Sequence, residues 1–258
     1  MNNYLVANIS LLYSNKPMLE RFSAAAEHGF TAVEIQFPYE WSISDLRNAA
    51  DTAGVGVHLI NVPAADLLQG GKGLSCHPEN INAFRSACNT AMQYALGLDA
   101  MKVNILAGNL NETDNKALCV QTYVDNIRYA AELFMAEGVM VTFEAINNID
   151  MPNYLYSQFS EMYSIFQQVN HANASMQYDI YHMAMMGEPI ALQLQEFANN
   201  IGHIQFADMP GRGAPGTGSL SIGEYFQIID RSVYQGAVAA EYKTSGDDLV
   251  DYTWLNIT

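Results

Sequence analysis

Short strand-like runs alternate with longer helix-like runs along the whole chain, and this alternation restricts the fold more than any other feature. Eight runs are rich in Val, Ile, Phe and Tyr and are bounded by Gly, Asn, Asp or Pro, which is typical of strands. They lie at 5–8, 32–37, 56–61, 100–105, 140–145, 176–180, 203–207 and 237–242. Strands that alternate with helices form a parallel sheet, because each helix returns the chain to the edge where the next strand begins.

The segments between the strands have apolar residues at helical spacing. The clearest stripe precedes Gly97, where the pattern predicts that the helix ends. Its members recur every three or four positions: Ile81, Phe84, Cys88, Ala91 and Ala95. Such helices supply the outer layer that covers both faces of a parallel sheet.

Eight strand–helix units in 258 residues predict an α/β fold, a single (β/α)8 TIM barrel that spans residues 1–258. The alternative is an open, doubly wound sheet. Against it, the first strand runs into Asn8-Ile9-Ser10 and not into the glycine-rich turn of a dinucleotide-binding fold. No linker or change of composition divides the chain. A barrel would place its active site at the C-terminal ends of the strands.

Acidic residues outnumber basic ones, 27 against 11, which gives a net charge of -16. Such a chain is not expected to bind nucleic acid or an anionic membrane, because both require clustered cations. The three cysteines have no metal or redox spacing and their number is odd, which fits a reduced protein. Without a signal peptide or a membrane-spanning run, we expect a cytoplasmic protein. A homo-oligomer is compatible with the sequence.

Polar residues stand at the ends of the last four predicted strands: Glu144, Asp179, Gln205 and Glu241. They are roughly thirty residues apart, about one strand–helix unit, so a barrel would bring them to one face. Three converging carboxylates repel one another unless a cation or a proton intervenes. Carboxylate and amide oxygens suit Mg²⁺, Mn²⁺ or Zn²⁺, so we expect a divalent metal ion there. Taken singly, each residue could equally cap a strand or a helix.

Other polar residues flank the same predicted face. His182 follows Asp179 by three positions, and Arg212 stands in a loop rich in Gly and Pro, far from any other cation in the sequence. Arg binds carboxylates with two parallel hydrogen bonds, so Arg212 is a candidate anion clamp. Further candidate substrate-binding residues are Lys72, His58 and Asn104. The alternatives are a solvated loop arginine, a histidine at a helix start and, for Lys72, a mobile turn or lid.

An ordered set of short motifs runs through most of the chain. They include Ala7-Asn8-Ile9-Ser10, Asn61-Val62-Pro63, Glu144-Ala145-Ile146-Asn147, Asp179-Ile180-Tyr181-His182, Gly202-His203-Ile204-Gln205, Asp208-Met209-Pro210-Gly211-Arg212 and Glu241-Tyr242-Lys243. In the order and content of these motifs, the chain resembles the hydroxypyruvate isomerases and 2-oxo-tetronate isomerases of the xylose isomerase-like barrel superfamily. Two departures stand out: the loop after strand three lacks the usual Trp and has Lys72 for Arg, and Asn104 replaces a His that many members carry.

The resemblance implies that Glu144 and Glu241 exchange a proton with the substrate. It also implies metal ligands at Glu144, Asp179, Gln205 and Glu241, and substrate contacts at His182 and Arg212. The sugar epimerases of the superfamily usually have His at the third ligand position, so Gln205 points to the hydroxypyruvate branch.

The expected reaction interconverts a ketone and an adjacent aldehyde through an enediolate on a small anionic acid. The substrate would be hydroxypyruvate, giving 2-hydroxy-3-oxopropanoate, or 2-oxo-tetronate, giving its 3-oxo isomer. Alternatives are a ketose 3-epimerase acting on a neutral sugar and a non-catalytic sugar- or metal-binding barrel. An endonuclease of abasic DNA is a further alternative, against which the net charge argues.

Overall fold

Eight parallel strands close into a barrel in a computed structural model, which describes residues 4–243. The strands pair in chain order, and the first pairs with both the second and the last. They are β1 Leu5–Asn8, β2 Ala32–Ile35, β3 Gly56–Asn61, β4 Lys102–Asn104, β5 Met140–Glu144, β6 Ala174–Asp179, β7 Ile201–Phe206 and β8 Val238–Ala240. The predicted barrel is therefore confirmed, and the open sheet is wrong.

Helices form the outer ring between the strands and bury their apolar stripes against the barrel. They are α1 Met18–Glu27, α2 Ile43–Ala53, α3 Ile81–Leu98, α4 Lys116–Met135, α5 Phe159–Val169, α6 Ile180–Met185, α7 Ile190–Glu196 and α8 Ile222–Arg231. Two 3₁₀ turns, Leu67–Gln69 and Pro78–Asn80, lie in the long connection after β3. Within residues 4–243, no helix is long and apolar enough to cross a membrane.

Strand ends differ from the sequence prediction by a few residues. β6 and β7 each begin two residues early, at Ala174 and Ile201, whereas β8 stops at Ala240. The ladders of β8 with β1 and with β7 both end at Ala240. Neighbouring strands, and not the length of the apolar run, therefore set where β8 ends.

The prediction that Gly97 ends its helix is wrong. α3 continues to Leu98, and Asp99 caps it in the left-handed conformation. A Cβ atom at Gly97 would lie 2.4 Å from Cγ2 of Ile43. Gly97 is therefore required where α3 approaches α2 closely, and its role is packing.

The N-terminal half of the barrel interior holds a buried polar cluster, and His58 belongs to it. Although the sequence predicts His58 near the C-terminal face, it is the third of six residues in β3. Tyr4, just before β1, lies with its Oη 2.6 Å from His58 Nδ1, and the His58 ring is 5.3 Å from that of His203. Glu34 contacts His203, and Lys102 Nζ donates to a backbone carbonyl nearby. The structure therefore places His58 away from the C-terminal face.

Candidate active site

The four predicted strand-end residues meet at the C-terminal face of the barrel. Glu144 and Asp179 are the last residues of β5 and β6, Gln205 is the penultimate residue of β7, and Glu241 directly follows β8. All four side chains are buried. Parallel strands end at the same face of a barrel, so residues far apart in sequence converge there.

A small cavity opens beside Glu144 and Glu241. Glu144, His182, Arg212 and Glu241 all line it, and its volume is about 110 Å³. Pockets for drug-sized ligands typically measure about 300–1,000 Å³. The cavity therefore suits a molecule of a few carbon atoms.

Glu241 is held by three polar side chains from three other segments. Its Oε1 accepts hydrogen bonds from Asn8 Nδ2 at 2.9 Å and Gln36 Nε2 at 2.7 Å, and its Oε2 accepts from Arg212 Nη2 at 2.7 Å. Burial raises the pKa of Glu241 to about 8, although the charge of Arg212 opposes that rise. The carboxyl group is thus rigidly oriented and able to take up a proton near neutral pH.

Glu144 has fewer stabilising partners. Its Oε1 accepts from Asn104 Nδ2 at 2.7 Å. Burial raises the pKa of Glu144 well above its ordinary value, and the nearby carboxylates of Glu241 and Asp179 raise it further. Burial and the neighbouring carboxylates therefore favour the protonated form of Glu144.

Arg212 supplies the positive charge of the site. Its Nη2 donates to Asp179 Oδ2 at 3.1 Å and to Glu241 Oε2 at 2.7 Å, and its Nε donates to the Glu241 carbonyl oxygen at 3.3 Å. Burial lowers the pKa of Arg212, but the two carboxylates outweigh this effect and raise it. Within residues 4–243, Nη1 has no hydrogen-bond acceptor, so it is available to a ligand.

The loop that carries Arg212 is folded around Asp208. The Asp208 carboxylate accepts hydrogen bonds from the backbone nitrogens of Met209, Gly216, Gly218 and Leu220. A Cβ atom at Gly218 would lie 2.3 Å from the Met209 carbonyl oxygen, so the close turn requires glycine there. Arg212 itself has φ 56, a left-handed conformation that the surrounding loop enforces.

His182 lies beside Asp179, and Asn147 fixes the orientation of its ring. Asn147 Oδ1 accepts from the backbone nitrogens of Ile149 and Asp150, which fixes Nδ2 as the amide group that faces His182 Nδ1 at 2.7 Å. The His182 proton therefore resides on Nε2, which lies 3.5 Å from Asp179 Oδ2. Burial lowers the pKa of His182 to about 4, so the ring is neutral.

Gln205 is oriented by its neighbours inside the barrel. Its Nε2 donates to Glu34 Oε2 at 2.9 Å, and its Oε1 accepts from Gln177 Nε2 at 2.8 Å. Thr142 Oγ1 donates to Gln177 Oε1, which fixes the direction of the second bond. The Gln205 oxygen retains one lone pair for a further partner.

The structure brings most of the predicted site residues together, but not all of them. Asn104 contacts Glu144 directly, as described above. Lys72 instead forms ion pairs with Asp114 at 3.0 Å and with Glu79 at 3.2 Å, and it does not line the cavity. His58 lies in the opposite half of the barrel. Neither of these two residues lines the cavity.

Three residues that hold the site in place were not among the predicted site residues. Asn8 ends β1, Gln36 follows β2, and Asn147 orients His182. Asn8 and Gln36 show the same signal as the predicted residues, a polar side chain at a strand end. Extending that rule to the first two strands would have found them.

The donor set fits a divalent cation. Glu144, Asp179 and Glu241 are three buried carboxylates, and Arg212 is the one cationic side chain that contacts any of them among the described residues. One donor atom each from Glu144, Asp179 and His182 lie within 4.8 Å of one another. Because the His182 proton lies on the nitrogen nearest Asp179, the carboxylate oxygens of Glu144 and Asp179 are the better donors of this group.

Comparison with known proteins shows similarity over nearly the whole chain. The family model described as "Xylose isomerase-like TIM barrel" matches residues 22–253. The chain is 34% identical to hydroxypyruvate isomerase of Escherichia coli K12, over 97% of each chain. It is 34% identical to 2-oxo-tetronate isomerase of Cupriavidus necator, over 96% of each. A crystal structure from Brucella melitensis, described as an AP endonuclease of family 2, superposes with a TM-score of 0.91 at 30% identity, covering 95% of this chain and 94% of the other.

Proposed function

The chain belongs to the xylose isomerase-like TIM barrel family, with the hydroxypyruvate and 2-oxo-tetronate isomerases as relatives, and we propose that it is an isomerase of a small 2-oxo-3-hydroxy acid. It would move the carbonyl group to the adjacent carbon, as in the conversion of hydroxypyruvate to 2-hydroxy-3-oxopropanoate or of 2-oxo-tetronate to its 3-oxo isomer. One observation carries the proposal: two buried glutamates, Glu144 and Glu241, line one small cavity that also contains Arg212.

The reaction requires a base and an acid at adjacent carbons. A carboxylate removes the proton from the carbon that bears the hydroxyl group and an enediolate forms. The hydroxyl proton passes to the former carbonyl oxygen, and a carboxylic acid protonates the former carbonyl carbon. Arg212 donates a hydrogen bond to Glu241 and favours its charged form, whereas no cationic side chain within residues 4–243 contacts Glu144. We therefore assign Glu241 as the base for hydroxypyruvate and Glu144 as the acid, with the roles exchanged in the reverse direction.

The remaining side chains would bind and orient the substrate. Nη1 of Arg212 is free to donate to the substrate carboxylate, and Nε2 of His182 to donate to a substrate oxygen. Residues Glu144, Asp179, Gln205 and Glu241 would hold a Mg²⁺, Mn²⁺ or Zn²⁺ ion. Such an ion supplies a Lewis acid that stabilises negative charge on the reacting oxygens.

The endonuclease description of the similar crystal structure does not fit the charge of this chain. Its net charge of -16 opposes binding to a phosphate backbone. The cavity is also too small to receive a nucleotide, at about 110 Å³. An acid of three or four carbons meets both constraints.

A substrate panel tests the proposal. The purified protein is incubated with hydroxypyruvate, 2-oxo-tetronate and neutral ketoses, with Mn²⁺ or with a chelator, and the products are identified by NMR. We expect isomerisation of an acid and none of the ketoses, and loss of the activity in Glu144→Gln. Turnover of ketoses alone would identify a 3-epimerase, and no turnover of any substrate would identify a binding protein.

A further inference from the structure

Three metal-ligating side chains meet outside the candidate active site. Cys76 and His77 lie in the connection between β3 and α3, and Cys119 lies in the first turn of α4. All three are buried, and one donor atom from each lies within 4.8 Å of the others. None of them lines the active-site cavity.

We propose that Cys76, His77 and Cys119 bind one thiophilic divalent metal ion, for which Zn²⁺ is the best match. Two sulfur donors and one imidazole form a ligand set that Zn²⁺ prefers, whereas Mg²⁺ and Ca²⁺ require oxygen. In a tetrahedral zinc site the ligand atoms lie roughly 3.5–4 Å apart, as Zn–S and Zn–N distances of about 2.3 and 2.0 Å require. The three donors need to move only slightly to reach this geometry.

The imidazole of His77 is prepared for such a role. Its Nε2 lies 2.9 Å from the Asn109 carbonyl oxygen, to which it can only donate, so Nδ1 carries the lone pair. A hydrogen bond from the second ring nitrogen to a carbonyl group is the usual outer support of a metal-bound histidine. Glu79 is a candidate fourth ligand, because its Oε1 lies 3.9 Å from His77 Nδ1.

Both cysteines would lose their protons on binding a metal ion. Burial raises the pKa values of Cys76 and Cys119, so both are neutral thiols without metal. Binding of one Zn²⁺ would release both thiol protons and leave two thiolates that neutralise the ion. Outside the cluster, Lys72 pairs with Glu79 and Asp114.

The bound ion would tie two segments of the chain together. Backbone and side-chain hydrogen bonds already join the 70–77 segment to Asn109, at Gly71, Lys72 and His77. The same loop carries Leu68, which lines the active-site cavity. A metal ion at Cys76, His77 and Cys119 would therefore stabilise the loop on which one wall of the active site depends.

Co²⁺ titration of the full-length, reduced protein tests the proposal directly. Thiolate ligation produces an intense near-ultraviolet charge-transfer band, which the oxygen ligands of the active site cannot produce. We expect this band in the wild type and in Cys88→Ala, a control that removes the third buried cysteine. In Cys76→Ala and Cys119→Ala the band should be weaker, and the Co²⁺ affinity should be lower by about 100-fold or more, since loss of an outer partner alone typically costs about 10–100-fold.

A second measurement uses the wild type alone, so it does not depend on whether the variants fold. Maleimide labelling followed by mass spectrometry gives the reaction rate of each cysteine with and without Zn²⁺. We expect Zn²⁺ to slow the labelling of Cys76 and Cys119 at least tenfold and to leave Cys88 unchanged. Equal rates with and without Zn²⁺, or a wild type that shows no thiolate band with Co²⁺, would overturn the proposal.

Discussion

Arg212 and Glu241 are joined at two points. Nη2 of Arg212 donates to Glu241 Oε2 at 2.7 Å, and Nε donates to the Glu241 backbone carbonyl at 3.3 Å. The same Nη2 reaches Asp179 at 3.1 Å. One guanidinium group therefore contacts two buried carboxylates through Nη2 and leaves Nη1 without an acceptor among residues 4–243. Without it, an acidic substrate would meet only negative charge.

Replacement of Arg212 by Ala should raise the KM for an acidic substrate by about 10- to 100-fold. The variant loses a charge-assisted hydrogen bond, which typically contributes about 1.5–3 kcal/mol. Steady-state kinetics with hydroxypyruvate or 2-oxo-tetronate measures the effect. Because Arg212 has φ 56, Arg212→Gly is included to remove the side chain without backbone strain, and both variants should behave alike.

Lys72→Ala is the matched control, since Lys72 pairs with Asp114 and Glu79 outside the cavity. Its KM should remain within about twofold of the wild-type value, because exposed ion pairs typically contribute about 0–1 kcal/mol. An unchanged KM in both Arg212 variants, with the fold intact by circular dichroism, would place Arg212 outside substrate binding.

Metal binding at the candidate active site should depend on Asp179. Asp179→Asn removes one charged ligand but can still accept the hydrogen bond that Asp179 Oδ1 receives from the Tyr181 backbone nitrogen, so the start of α6 should persist. We expect the Mn²⁺ affinity to fall at least about tenfold, because ligand charge tunes the affinity of such sites. Isothermal titration measures it, with Asp150→Asn as a control that lines the cavity outside the proposed ligand set. A Mn²⁺-soaked crystal without density between Glu144 and Glu241 would contradict the prediction.

The barrel could be predicted from sequence because its strands are buried on both faces and appear as short apolar runs. The same pattern identified Glu144, Asp179 and Glu241 as candidate site residues, since a charged residue that ends such a run is costly to bury without a partner. His58 shows the limit of this reasoning. A polar residue inside a strand looks the same in sequence whether it faces the catalytic end of the barrel or the other end.

Contacts between loops could not be predicted, because they depend on how distant segments pack. The sequence indicated that Arg212 was a cation near the active face, but not that it contacts both Asp179 and Glu241. In the same way, Cys76 and Cys119 have no metal-binding spacing, yet the connection after β3 packs against the first turn of α4. Lys72 forms ion pairs with Glu79 and Asp114 and does not line the cavity.

Protein stability should fall in acid partly because of His58. Burial, His203 and Lys102 lower the pKa of His58 from 6.5 to about 2. Between these pH values His58 is protonated in the unfolded chain but neutral in the folded chain. The free energy of unfolding is therefore unaffected by His58 titration above pH 6.5 and decreases as the pH falls below it. In His58→Phe, the slope of unfolding free energy against pH should be smaller by roughly 1.4 kcal/mol per pH unit.

Urea unfolding at several pH values between about 4 and 6.5 measures this slope. Tyr4→Phe is the control, because it removes the hydroxyl group that contacts His58 but leaves the imidazole able to titrate. Its stability curve should shift without losing the slope. Parallel curves for His58→Phe and the wild type would show that His58 does not contribute to acid unfolding.

Turnover should require both Glu144 and Glu241. Each Gln variant keeps an oxygen for its amide donors and loses the ionisable group, so activity should fall about 10²–10⁴-fold. Because both residues act on one proton path, the double variant should be little worse than either single one.

Exchange of the hydroxypyruvate C3 hydrogens in D₂O, followed by NMR, separates the roles of Glu144 and Glu241. Glu144→Gln should still exchange hydrogen because the base Glu241 remains, and Glu241→Gln should not. Since Glu241→Gln also loses its ion pair with Arg212, the Arg212 variants show how much of its defect is substrate binding. Near-wild-type isomerisation by both single variants would mean that another pair of groups transfers the proton.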